Sequence, residues 1–176
     1  MQKISVSLTA ALLVTGAACG STERSRTEES TLFRTDSNSY ALRADNMGYS
    51  ALIDVEFTNS TADTVYFINC NGVTGVTFEK LVDSTWQMAW MPAMNACLSA
   101  PIVVPPGSTR RFPTHAFAAR RDRAQSGEIT IEDAPGTYRI VWPHTVASYQ
   151  GSPPFGDSLP LSQRVSNRFI LRAVEN

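Results

Sequence analysis

Hydrophobic and polar residues alternate along much of the chain, most clearly in residues 51–58. In an extended chain, Ile53, Val55 and Phe57 fall on one side of this segment, and Asp54 and Glu56 fall on the other. Because every second side chain of a β-strand lies on the same face, this pattern predicts a strand with one buried face. The polar cluster at residues 59–63 is typical of the turn that ends such a strand.

Similar segments recur at short intervals along the rest of the chain. Strands are predicted at residues 40–44, 64–70, 76–82, 85–90, 101–104, 108–113, 128–131, 137–142 and 166–174. Residues 148–161 contain several glycines and prolines and are expected to form a loop, and residues 116–124 are the one segment that could form a short helix. Many short strands joined by glycine- and proline-rich turns predict an all-β sandwich.

The first eighteen residues have the layout of a secretory signal peptide, with Lys3 followed by a short apolar stretch and then small residues. That stretch is shorter than the roughly 20 apolar residues that span a bilayer. The junction at Cys19 resembles a bacterial lipobox, although Gly16 stands where a branched aliphatic residue is usual. The resemblance implies that Cys19 is acylated and becomes the first mature residue of a lipoprotein. We therefore expect a bacterial envelope protein, lipid-anchored on the periplasmic face or the cell surface.

Two divisions of the mature chain follow from its composition. Residues 19–39 are polar and charged, so they are expected to be a disordered tether that cannot bury enough apolar surface to fold. Residues 40–176 are long enough for one domain with its own core. The net charge of −1 does not point to a nucleic-acid partner.

With Cys19 acylated, Cys70 and Cys97 remain as an even pair. An exported bacterial protein matures in an oxidising compartment, so we expect these two cysteines to form a disulfide. A metal or catalytic pair is the rival interpretation. It is disfavoured because neither cysteine belongs to a CxxC motif and only His115 and His144 could supply imidazole ligands.

The order of several short motifs resembles that of the bacterial immunoglobulin-like domains of exported proteins, and of the related sandwich of the intracellular proteinase inhibitor family. The residues that carry the resemblance are Asn59, Glu79, Lys80, Asp83, Trp86, residues 105–107 (Pro-Pro-Gly) and residues 135–140 (Pro-Gly-Thr-Tyr-Arg-Ile). The resemblance implies an immunoglobulin-like antiparallel β-sandwich of about seven to nine strands. It implies no particular reaction, because this fold hosts many functions.

The most unusual stretch is residues 86–97, which we expect to be partly a loop pinned by Cys97. Its large apolar side chains are Trp86, Met88, Trp90, Met91 and Met94. Methionines often fill gaps in a core, but exposed aromatic and methionine side chains are also typical of a partner-binding surface. A third interpretation is a copper site in which the three methionines act together with His115, since thioethers suit Cu(I).

We expect no enzyme activity and no cofactor, because no nucleophile, metalloprotease or nucleotide-binding motif accompanies the two histidines. The leading hypothesis is a monomeric, non-catalytic module that binds an unknown protein or envelope polymer. One alternative is a protease inhibitor acting through an exposed loop such as residues 148–161, and another is a periplasmic copper-binding protein. We expect one group of arginines to be exposed to solvent, and the alternative is that it contacts anionic lipid or a polyanion. The group consists of Arg110, Arg111, Arg120, Arg121 and Arg123.

Overall fold

A computed structural model describes residues 32–46, 48–92, 99–125, 128–153 and 155–174. The first strands of the described chain are β1 (Phe33–Thr35), β2 (Ser39–Ala44), β3 (Tyr49–Thr58), β4 (Val65–Phe67), β5 (Asn69–Cys70) and β6 (Val73–Thr74). They are followed by β7 (Thr77–Val82), β8 (Thr85–Trp90), β9 (Ile102–Val104), β10 (Thr109–Ala118), β11 (Gly136–Val141), β12 (Thr145–Val146) and β13 (Phe169–Ala173). A single 3₁₀ turn, Leu161–Gln163, precedes β13.

The strands form two packed layers, which confirms the predicted all-β sandwich. One layer contains β10, β3 and β1, with β3 in the middle and both neighbours antiparallel to it. The other layer follows the order β2, β13, β11, β7 and β8. A small sheet of β12, β4 and β9 and the β5–β6 hairpin lie beside them.

Strand β2 belongs to both layers and joins them. Its first part runs parallel to β13, with Ser39 opposite Ile170, and its last two residues pair antiparallel with β3. A strand that changes sheets in this way makes a corner at which two sheets meet. The named strands β2 and β13 pair in parallel, whereas β11 with β13, β11 with β7, and β7 with β8 pair antiparallel.

The core lies between the two layers and follows the predicted alternation. In β3, Ile53, Val55 and Phe57 are fully buried, whereas Glu56 between them is exposed. The opposite layer contributes further buried side chains, including Phe78, Tyr138, Ile140, Phe169 and Leu171. Burial of this many apolar side chains is the main favourable contribution to folding.

The folded domain begins earlier than the predicted boundary at residue 40. Phe33 is fully buried, and β1 pairs along β3 with Phe33 opposite Phe57. The Phe33 ring stacks on Trp142, with the centroids 4.1 Å apart. The prediction that the tether extends to residue 39 is therefore wrong, and the folded domain already includes Leu32 and Phe33. Cys19 and the rest of residues 1–31 lie outside the described part of the chain.

The weak helix prediction at residues 116–124 is also wrong. Strand β10 continues to Ala118 in register with β3, and a turn follows, in which the amide of Arg123 donates to the carbonyl of Arg120 at 2.9 Å. Residues 128–131, which were predicted to be a strand, form an isolated bridge between Thr130 and Ala119 and a turn.

Candidate binding face

Strand β8 places two residues of the predicted partner-binding segment on the outside of the sandwich. Met88 lies opposite Glu79, and Trp86 lies opposite Leu81, on the side of β7 that faces away from buried Phe78. An extra residue near Ala89 shifts the register, so that Trp90 lies opposite Phe78. The strand predicted at residues 85–90 is thus confirmed, and Trp86 and Met88 project from a sheet.

The ring of Trp86 is fixed over two arginine side chains. The Arg139 guanidinium lies 4.5 Å from the ring centroid, and the Arg168 guanidinium lies 5.7 Å from it. Arg139 in turn donates to one carboxylate oxygen of Glu79 at 2.6 Å. The Arg139 side chain is only 12% exposed and that of Glu79 only 22%. A cation held under an indole ring and paired with a carboxylate makes a pre-organised patch on the sheet.

We call this outer surface of β13, β11, β7 and β8 the Trp86 face. It consists of Trp86, Met88, Leu81, Glu79, Arg139, Arg168 and Ile170. Met88 is 70% exposed and Ile170 is 40% exposed. Tryptophan and arginine dominate the binding energy of many interfaces, and methionine is enriched there. The composition of the Trp86 face is therefore that of an interaction surface.

The remaining residues of the Met-rich stretch do not join this face. Trp90 packs on Phe78, with the ring centroids 4.9 Å apart, so it contributes to the core. Met91 is exposed just beyond the end of β8. Met94 and Cys97 lie outside the described residues. The interpretation of methionines and tryptophans as core filling thus holds for Trp90 but not for Met88.

The two histidines lie on different parts of the surface. His115 is exposed on β10 opposite Leu52, on the outer side of the first layer. Met88 lies on the outer side of the second layer, so the proposed copper ligands Met88 and His115 are on opposite surfaces. His144 is exposed at the end of the segment that follows β11. Within the described chain, no group of three or more histidine, cysteine, aspartate and glutamate side chains could hold a metal ion.

Cys70 is buried at the end of β5, and its neighbours are bonded to the segment that follows Cys97. The amide of Ser99 donates to the carbonyl of Asn69 at 3.1 Å, and the amide of Asn71 donates to the Ser99 hydroxyl at 2.9 Å. The chain re-enters the described structure at Ser99, next to Cys70 in space. Pro92, the last described residue before the gap, lines a cavity of about 150 Å³ together with Gly72 and Val73.

The predicted group of arginines is spread over β10 and the turn after it. Arg111 forms an exposed ion pair with Glu56 at 3.4 Å, and Arg121 forms one with Glu132 at 3.8 Å. Exposed pairs of this kind contribute little to stability. Partly balanced by these acids, the arginines fit the interpretation as a solvated surface.

Two buried tyrosines have perturbed acidities for structural reasons. The Tyr138 hydroxyl donates to the carbonyl of Ala134, four residues upstream, at 2.7 Å. Burial raises the pKa of Tyr138 well above its ordinary value of 10.0, and the nearby Asp133 carboxylate raises it further. Burial also raises the pKa of Tyr40, whose hydroxyl donates to Asp36. Both groups remain neutral at physiological pH and serve as hydrogen-bond donors.

The 148–161 loop folds back on itself. The Ala147 amide donates to the carbonyl of Asp157 at 2.8 Å, and the Gln150 amide donates to that of Phe155 at 2.9 Å. Gly151 has a φ of 82°, in the left-handed region that glycine adopts without strain. The described parts of the loop, residues 148–153 and 155–161, are therefore bonded to each other and not extended away from the domain.

Comparisons with known proteins leave the function open. No protein-family model matches the chain, and no curated protein matches it. A search of solved structures finds a Pseudomonas fluorescens alkylpurine DNA glycosylase, AlkC, bound to DNA containing an abasic site analogue. The match has a TM-score of 0.34 and 8% sequence identity, and it covers 80% of this chain but only 29% of the glycosylase. In the part of the chain that is described, no helix has the length and hydropathy needed to cross a membrane.

Proposed function

We propose that this chain is a lipid-anchored protein of the bacterial envelope, and that its immunoglobulin-like sandwich binds a partner through the Trp86 face without catalysing a reaction. The observation that carries the binding proposal is the pre-organised arrangement of Trp86, Arg139 and Glu79, with Met88 exposed beside it. An aromatic side chain that is already ordered loses little conformational entropy when a partner binds.

One feature supports an immunoglobulin-like sandwich in particular. A tyrosine near the start of a central strand that bonds back to a carbonyl a few residues upstream is a hallmark of this fold. Tyr138 on β11 makes this bond to Ala134. In the usual fold a cysteine of the inter-sheet disulfide lies two residues after this tyrosine. Here that position holds Ile140, which is fully buried. The core is therefore closed by apolar side chains alone at that point.

Cys70 and Cys97 would then form a disulfide elsewhere than between the two sheets. Cys97 precedes Ser99 by two residues, and Ser99 is bonded to both neighbours of Cys70. Two extended residues span about 7 Å, which is the reach that a disulfide between Cys70 and Cys97 requires. This proximity supports a disulfide that fastens the 93–98 segment to the β5–β6 hairpin.

The anchor proposal rests on Cys19 and on the corrected start of the domain. Twelve residues, 20–31, separate Cys19 from Leu32. Fully extended, they would span about 40 Å. An acylated Cys19 would hold the domain near the membrane with limited freedom to move away from it.

Intact mass spectrometry of the chain extracted from its native membranes tests the anchor. The expected mass is that of residues 19–176 plus a lipid adduct on Cys19, less two hydrogens for the disulfide. A Cys19→Ala variant is expected to leave the membrane fraction. A mature chain without the adduct would contradict the anchor and leave the binding proposal untouched.

Binding through the Trp86 face is tested with two matched variants purified from native envelopes. Ile170→Glu places a charge on the β13 side of this face, and Leu52→Glu places the same charge on the outer side of the other layer. We expect a component that co-purifies with the wild-type chain and with Leu52→Glu to be lost from Ile170→Glu. Equal retention by both variants would contradict binding through the Trp86 face.

Neither alternative function gains support from the geometry. A copper site would need Met88 and His115 together, and they lie on opposite surfaces. A protease-inhibitory loop would need an extended segment for the protease cleft, and the 148–161 loop is closed by its own backbone hydrogen bonds.

A further inference from the structure

Strand β8 is the last strand of its sheet in the described part of the chain. It pairs with β7 on one side, and within the described chain no strand pairs with its other side. The six residues of β8, Thr-Trp-Gln-Met-Ala-Trp, include no charged residue and no proline. An edge strand of this kind offers a row of free backbone groups to another strand.

The other long edge of the sandwich is protected, which makes β8 distinctive. Strand β10 carries Arg110, Arg111 and Pro113 along its length. The three-residue strand β9 lies between Pro101 and Pro105. Charges, prolines and shortness are the devices by which edge strands avoid pairing with other chains. The one such device in β8 is the irregularity near Ala89, which leaves residues 85–88 regular.

We propose that β8 pairs antiparallel with β8 of a second copy of this chain, so that the two five-stranded layers join across a two-fold axis. This differs from the monomer predicted from the sequence. A symmetric pair uses the same patch on both copies, and the patch must therefore be self-complementary. Strand β8 meets this condition because it has no charges that would face their own copies.

The alternation of side chains restricts the possible registers to those with a residue of β8 on the two-fold axis. Trp86 and Met88 point to the outer side of the sheet, and Gln87 points to the other side. A two-fold axis perpendicular to the sheet keeps the outer sides of the two copies together, so outward residues must lie opposite outward residues. Of these registers, the one with Gln87 on the axis keeps the regular residues 85–88 within the paired strand. Trp86 then lies opposite Met88 of the second copy, and this pairing occurs twice.

The contact also suits the chemistry of the side chains. Met88 is 70% exposed in the single chain, and the pairing would bring it against strand β8 of the second copy. Cross-strand neighbours on one face of an antiparallel pair stabilise a sheet. The Trp86 faces of the two copies would form one continuous surface.

Cysteine substitution in the full chain tests both the contact and its register. Across the axis, the two Gln87 Cα atoms would lie about 5 Å apart, which is within disulfide range. The two Thr85 Cα atoms would be roughly 14 Å apart, which is too far. We expect Gln87→Cys to migrate as a covalent dimer on non-reducing gels of native membranes, and Thr85→Cys to remain a single chain. Covalent dimers of both variants, or of neither, would overturn the proposed register.

The molecular mass of the detergent-solubilised chain, measured by light scattering, provides an independent test. We expect twice the mass of one chain for the wild type and for Leu52→Lys, and the mass of one chain for Gln87→Lys, with the same far-ultraviolet circular dichroism. A wild-type mass equal to one chain at high micromolar concentration would overturn the proposal. A complex in which Gln87→Cys cross-links to a different polypeptide would also overturn it. If Gln87→Lys does not fold, the cysteine pair decides the question.

Discussion

Replacing Phe33 with alanine is the sharpest test of where the folded domain begins. Phe33 is fully buried, and its ring lies 4.1 Å from that of Trp142 and 4.7 Å from that of Phe57. Removing a buried phenylalanine costs about 3–5 kcal/mol, which combines lost burial with the cavity that remains. The rings around Phe33 are themselves buried in the core, so little relaxation is available, and we expect about 4 kcal/mol.

This loss is large enough to measure in two ways. With a urea m-value of about 2 kcal/mol per molar, the unfolding midpoint should fall by about 2 M. The melting temperature should fall by roughly 10–20 °C for a domain of this size. Both measurements use the full chain, with circular dichroism as the signal.

The control is Tyr149→Ala, which truncates an aromatic side chain that is 37% exposed. We expect it to change the free energy of unfolding by less than about 1 kcal/mol. If Phe33→Ala changed stability no more than this control, β1 would not be packed against the core. The predicted tether ending at residue 39 would then be right after all.

Three further predictions concern the core, the Trp86 face and the cysteines. Tyr138→Phe should cost about 1 kcal/mol at neutral pH through loss of its buried hydrogen bond. Burial raises the pKa of Tyr138 above 10.0, so the stability that its neutral hydroxyl contributes is complete below pH 10 and is lost as the pH rises above that value. In urea titrations between about pH 9 and pH 11, the free energy of unfolding of the variant should therefore fall less than that of the wild type. Glu79→Gln should reduce the free energy of unfolding by about 1–3 kcal/mol, because its partner Arg139 is largely buried. The matched control Glu56→Gln, in an exposed ion pair, should reduce it by less than about 1 kcal/mol. Equal reductions would show that burial does not strengthen the Glu79–Arg139 pair. Cys97→Ser should cost roughly 3–4 kcal/mol by the chain-entropy account, and peptide mapping without reductant should join Cys70 to Cys97 in the wild type; two free thiols would contradict the disulfide.

The alternation of side chains was sufficient to predict most of the strands. In β3 and β13 the buried face lies where the period of two places it, and Ile170 faces outward between Phe169 and Leu171 as expected. Such strands can be predicted from the sequence because buried side chains recur at every second residue over several residues. The turns after β3 and after β5 can also be predicted from the sequence, because their residues favour turn geometry locally.

The errors arose where local sequence and long-range pairing disagree. Phe33 stands in a polar segment, and its burial depends on β3, which is about twenty residues away. Residues 116–118 resemble part of a helix, but the register of β10 with β3 extends the strand through them. Composition singled out Trp86 and Met88 as candidates for a partner-binding segment, and that assignment stays a prediction. Their position on an edge strand depends on the order of strands in the sheet, which local patterns do not encode.

The exchange of β2 between layers has a mechanical consequence. Strand β2 lies near the amino terminus, β13 lies near the carboxyl terminus, and the two run parallel. A force that pulls the amino-terminal end of β2 away from the carboxyl-terminal end of β13 therefore acts along both strands in opposite directions and loads all their shared hydrogen bonds at once, in shear. Peeling the bonds open one by one would require a pull at right angles to the strands. A domain tethered by its amino-terminal end and pulled by its carboxyl-terminal end would thus resist tension along its strongest direction.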